Sequence, residues 1–114
     1  MANVILINPF AVPRDAAGVF LAGWSQAAEY MRRQPGFGGT RLHQALSPEA
    51  RFGFVNVAEW ESPAQFQAAV TTPEFGAMTK HGPPSFPSLY EVVRTIDARS
   101  AAPADRRGGT QWKR

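Results

Sequence analysis

Asn56 and Trp60 are the two residues of this chain whose types and spacing best suit a small chemical site. They stand four apart in Phe54-Val55-Asn56-Val57-Ala58-Glu59-Trp60. That run reads as a strand, so Phe52, Phe54, Asn56, Ala58 and Trp60 share one face. At the rise of a strand, Asn56 and Trp60 lie roughly 13 Å apart, with Ala58 leaving room between them. The Asn56 amide can donate and accept, whereas the Trp60 indole can only donate. Two donors in a dry pocket can hold the oxygen of a developing enolate or phenolate. The same residues also admit a structural reading. A tryptophan at a strand end can plug a core with its N–H on a backbone carbonyl, and an asparagine can satisfy a bulge or a loop.

Other chemistries find less support. His43 and His81 are the two histidines, and neither belongs to a recognisable metal-ligand set. His43 reads as an interface or surface residue, while His81 follows Lys80 in a loop that could reach a pocket mouth. Gly36-Phe37-Gly38-Gly39 precedes a strand, so it reads as a turn and not as a phosphate-binding loop. No flavin or nicotinamide fingerprint and no nucleophile elbow is present. The chain has no cysteine, which removes disulfides and thiolate chemistry and points to the cytoplasm.

The elements that must position these residues follow from local pattern. A strand is expected over 2–10, ended by Pro9. Pro13 then opens a helix whose apolar stripe is Ala16, Val19, Phe20, Gly23, Trp24, Ala27 and Met31. Gln34-Pro35-Gly36 stops it. A hairpin joins strands at 40–46 and 51–60 through the turn Ser47-Pro48-Glu49-Ala50. Ser62-Pro63-Ala64-Gln65 is a capped helix start, with Phe66, Ala69 and Val70 facing inward. Thr72-Pro73-Glu74 starts a short helix over about 73–80. A last strand is expected over 89–96. The order is β-α-β-β-α-β, an α+β ferredoxin-like sandwich with helices on one side of the sheet. The bare side calls for a second copy of the chain.

The length of 114 residues and a hydrophobic fraction of 44% fit one domain with one modest core. The longest aliphatic run, Val4-Ile5-Leu6-Ile7, is too short to cross a membrane, and no signal peptide opens the chain. The formal charge of +3 is unevenly placed. Residues 98–114 carry Arg99, Arg106, Arg107, Lys113 and Arg114 against Asp105 alone, a net +4, while 1–97 hold seven bases and eight acids. The domain is therefore expected over 1–97, followed by a disordered basic tail over 98–114. No basic face falls on a structured element, which argues against nucleic-acid binding.

Over roughly residues 2–97 the chain resembles the antibiotic biosynthesis monooxygenase family of the dimeric α+β barrel superfamily. The resemblance rests on Gln34-Pro35-Gly36-Phe37, on Phe54 to Ser62, on Phe66, on Thr72-Pro73-Glu74-Phe75 and on Leu89-Tyr90-Glu91-Val92-Val93. The Asn-x-x-x-Trp spacing is similar to the pair used by members that oxidise aromatic polyketides. It implies a homodimer that uses O2 without metal, flavin or haem and converts an anthrone or phenol to a quinone. Asn56 and Trp60 would be the catalytic pair, with Phe20, Trp24, Phe54, Phe66, Lys80 and His81 around the substrate. Two positions depart from that pattern. Phe66 stands where such relatives can carry a tyrosine, and Lys80 where they can carry an arginine, losing its planar fork. A second branch of the superfamily degrades haem with an asparagine on the first strand, a tryptophan on the second helix and a proximal histidine. Here Asn8 lies near the first position, Ala69 stands at the second, and His81 lies two residues past the third, so a haem-binding or haem-degrading monooxygenase is the alternative. A non-catalytic or cyclase-like homodimer binding a small ligand is a third reading.

Overall fold

A computed structural model describes residues 4–98. The tail expected over 98–114 lies, apart from Ala98, outside the described residues. The elements are β1 (Val4–Phe10), a 3-10 turn (Arg14–Ala16), α1 (Ala17–Met31), β2 (Phe37–Gln44), β3 (Phe54–Trp60), α2 (Pro63–Val70), α3 (Pro73–Thr79) and β4 (Ser88–Tyr90). The four strands form one antiparallel sheet in the order β2-β3-β1-β4, the ferredoxin-like arrangement that the element order implies.

β1 continues through Pro9, which does not end it. Pro9 pairs with Val55 on β3, and its carbonyl accepts from Phe86 N on the opposite side. In an antiparallel strand the N–H and C=O of one residue point the same way, so the missing N–H falls on the irregular Pro-rich loop and costs β3 nothing. β2 begins at Phe37, three residues before the expected start. A bulge lies between Phe37 and Gly39, where Gly39 adopts φ +127°. Phe37, Gly38 and Gly39 are thus strand, while Gly36 stays in the turn that precedes it, at φ +87°. The extra residue shifts the side-chain parity, so Phe37 and Thr40 both face the helices.

The fourth strand is short. Ile5 pairs with Tyr90, which sets Glu91 opposite Val4, the first residue of β1. Residues 92–98 therefore run past the described end of their one neighbouring strand, and the strand expected to 96 stops at Tyr90. Val92, Val93 and Ile96 are left exposed.

α1 is rotated from the expected stripe. Phe20 and Tyr30 are buried, whereas Val19 is 81% exposed. Tyr30 Oη donates to the Ala69 carbonyl at 2.7 Å and lies 2.7 Å from Thr72 Oγ1, tying α1 to the end of α2 and the cap of α3. Both short helices start where their caps dictate. Ser62 Oγ accepts from Gln65 N, and Thr72 Oγ1 accepts from Phe75 N.

The helix side of the sheet holds two apolar clusters. One comprises Leu6, Ala58, Trp60, Phe66 and Ala69. The other comprises Val12, Phe20 and Phe54. The opposite side carries Ile5, Ile7, Val55 and Val57 with no helix over them.

Candidate active site

The two clusters are separated by a polar level in the sheet. Along β1 the helix-facing residues run Leu6, Asn8, Phe10, and along β3 they run Ala58, Asn56, Phe54. Asn8 pairs directly with Asn56, so two carboxamides interrupt the apolar face at one height. A cavity of about 680 Å³ opens there, bounded by the sheet, α1, the two short helices and the segment 85–89. That volume suits a small-molecule ligand.

Four of the expected residues line this cavity: Trp24, Asn56, Trp60 and Phe66. Phe20 and Phe54 do not. They stack at 4.7 Å in the second cluster and act as core. Phe54 instead borders a smaller hollow of about 280 Å³ near Arg14 and Arg51. Lys80 and His81 are exposed past the end of α3, outside the cavity lining. His43 lies on the open side of the sheet, with Nδ1 3.2 Å from the Val55 carbonyl.

Trp60 combines both readings of its type. It is 1% exposed, and its ring meets Phe37 edge-on at 5.3 Å and Phe66 at 5.7 Å. Yet its Nε1 is buried with no hydrogen-bond partner. A buried donor left unpaired costs about 1–3 kcal/mol, and native structures seldom tolerate it without a reason.

Asn56 is oriented by a residue that local spacing does not reveal. Thr40 Oγ1 donates to Asn56 Oδ1 and also lies 3.2 Å from the Val57 carbonyl. With its carbonyl held by β2, the Asn56 carboxamide keeps its NH2 group for a ligand. Asn8 supplies the other buried polar atom without a partner, Oδ1. Thr40 reaches the site through the bulge, and Asn8 through pairing between strands far apart in sequence. The sequence signal for Asn8 is an amide amid the apolar alternation of Val4, Leu6 and Phe10.

No Asp, Glu, His, Lys, Arg or Tyr is among the described residues that line the cavity. No group of three His, Cys, Asp or Glu among the described residues could hold a metal ion. No described helix is long and apolar enough to cross a membrane.

An antiparallel ferredoxin-like sheet with helices on one side, enclosing an apolar cavity with buried amide and indole groups, defines the class of protein. The chain belongs to the antibiotic biosynthesis monooxygenase family, whose model matches residues 3–81. Its fold is similar to that of a candidate monooxygenase from Shewanella loihica PV-4, at 37% identity over 82% of this chain and 97% of that one, TM-score 0.74. SnoaB from Streptomyces nogalater, described as a cofactor-independent oxygenase, is 24% identical over 84% of this chain and 98% of that one, TM-score 0.71. A candidate antibiotic biosynthesis monooxygenase from Nitrosomonas europaea is 15% identical over 84% and 95%, TM-score 0.68. No functionally curated protein matches the chain.

Proposed function

We propose that this protein is a cofactor-independent monooxygenase that oxidises an aromatic, polyketide-like anthrone or phenol to a quinone with O2, acting as a homodimer. Membership in the family supports a monooxygenase-type function. The likeness to SnoaB agrees with chemistry that needs no cofactor. The observation that carries the reading is the oriented Asn56 amide in an apolar cavity that Trp60 also lines, with the unpartnered indole N–H buried behind the cavity wall.

The reaction balances with O2 as sole oxidant. An anthrone methylene loses a proton, and its electrons spread onto the ring oxygen. The Asn56 NH2 hydrogen-bonds that oxyanion, and a turn of the Trp60 ring would bring its buried N–H to it as well, which lowers the cost of forming it. The carbanion gives one electron to O2, and the resulting radical and superoxide join as a peroxide. Protonation and loss of water leave the C=O of the quinone, so one oxygen atom enters product and one leaves as water. Phe66 cannot relay a proton, and the described lining offers no base. The proton therefore passes to solvent, and the protein acts by making the substrate more acidic.

The homodimer is supported by the uncovered Ile5, Ile7, Val55 and Val57 and the exposed Val92, Val93 and Ile96. A second copy would cover this apolar surface. The haem alternative needs an axial ligand at the cavity, and His81 stands outside its lining.

Oxygen uptake with a model anthrone tests the proposal. The expected result is one O2 consumed per anthrone, with most turnover lost in a folded Asn56→Ala variant. Tight binding without uptake would instead indicate a binding module. A haem-dependent visible band that His81→Ala abolishes would move the protein to the haem branch.

A further inference from the structure

The smaller hollow of about 280 Å³ plays no part in the oxidation, and it shares no lining residue with the Asn56 cavity. It lies between the entry to α1 and the hairpin that joins β2 to β3. Val12 and Phe54 line it, and both are buried, so its floor is apolar. Gly53 lets the hairpin lie directly on the segment before α1, because a Cβ there would stand 2.7 Å from the Val12 carbonyl oxygen. The charged residues of the lining are Arg14, from the 3-10 turn, and Arg51, from the hairpin. Asp15 and Glu49, the neighbouring acids in sequence, are outside the lining, and Ser47 Oγ donates to Glu49 at 3.1 Å. Neither guanidinium forms an ion pair among the described residues, where Arg32–Glu29 is the pair present. The Arg51 guanidinium lies over the Phe52 ring, 5.1 Å from its centroid, which favours one orientation of its plane. Folding thus brings two like charges from distant parts of the chain to one small hollow with no counter-charge in it. An anion between them offsets that repulsion.

We propose that this hollow binds a small carboxylate with an apolar body, its head held by Arg14 and Arg51 and its body resting on Val12 and Phe54. A guanidinium presents its donors as a planar fork that matches a carboxylate. The apolar floor favours an acid with a ring or a short hydrocarbon chain over a bare ion, since only the former buries apolar surface there. The site goes beyond the oxidation proposed for the Asn56 cavity and does not depend on it.

Calorimetric titration of the full chain at low ionic strength tests the site with three probes: benzoate, neutral benzyl alcohol and acetate. Benzoate should bind about tenfold more tightly than benzyl alcohol, which lacks the charge, and more tightly than acetate, which lacks the ring. Arg14→Gln and Arg51→Gln should each weaken benzoate about two- to fivefold. Arg33→Gln removes a guanidinium outside the hollow and should leave the affinity unchanged. Asn56→Ala should also leave it unchanged, which separates this site from the larger cavity. Equal losses in all three arginine variants would reduce the effect to net charge and overturn the site. Benzyl alcohol or acetate binding as tightly as benzoate, or no binding of benzoate, would overturn it too. None of these failures would touch the oxygenase reading.

Discussion

Trp60→Phe separates packing from chemistry at the residue where the two meet. The substitution keeps an aromatic ring between Phe37 and Phe66 and deletes the N–H that no protein atom accepts. Two effects on stability oppose each other. Lost ring volume costs about 1–2 kcal/mol. Removing an unpaired buried donor returns about 1–3 kcal/mol. The net change should stay within about 1 kcal/mol of zero in denaturant unfolding. Turnover has no such compensation. A hydrogen bond to a charged oxygen contributes about 1.5–3 kcal/mol, so its loss should lower kcat by roughly 10- to 100-fold in an oxygen-uptake assay. An enzyme that loses rate without losing stability places the indole N–H in the transition state. A variant destabilised by about 3 kcal/mol or more that turns over normally would show Trp60 to be a core plug, and the oxyanion argument would fall.

Thr40→Val should lower kcat by about tenfold with little change in KM, since it frees the Asn56 amide to rotate, and Thr40→Ser should restore the rate; equal rates in all three proteins would remove Thr40 as a positioning residue. Tyr30→Phe removes the hydroxyl that joins α1 to Ala69 and Thr72, and should cost about 1–2 kcal/mol in chemical unfolding. An unchanged midpoint would mean that the three helices do not depend on this contact. Val57→Lys puts a charge on the uncovered side of the sheet and should shift sedimentation from dimer to monomer with the circular dichroism unchanged; a persistent dimer would place the interface elsewhere.

Much of the fold is written locally. Ser62 and Thr72 each precede a proline and cap their own helix within three residues, so both helix starts are legible without a neighbour. Alternation along 54–60 assigns Asn56, Ala58 and Trp60 to one face, and the structure keeps them there. The rest depends on partners that local pattern does not name. Asn8 meets Asn56 because β1 pairs with β3 across 48 positions of chain, and only the sheet order decides that pairing. Thr40 joins them because one extra residue at the Phe37–Gly39 bulge reverses side-chain parity, an event set by how β2 fits β3. α1 buries Tyr30 and exposes Val19, and the partners of the Tyr30 hydroxyl are Ala69 on α2 and Thr72 at the cap of α3, both far away in sequence. β4 ends at Tyr90, which pairs with Ile5 near the described end of β1, although the run through Ile96 has the composition of a strand. The sequence by itself determined which residue types could do chemistry and on which strand face Asn56 and Trp60 lie. The tertiary structure decided which of them share a cavity and which keep an unpaired polar atom, because burial and hydrogen-bond satisfaction belong to the packed molecule and not to any one segment.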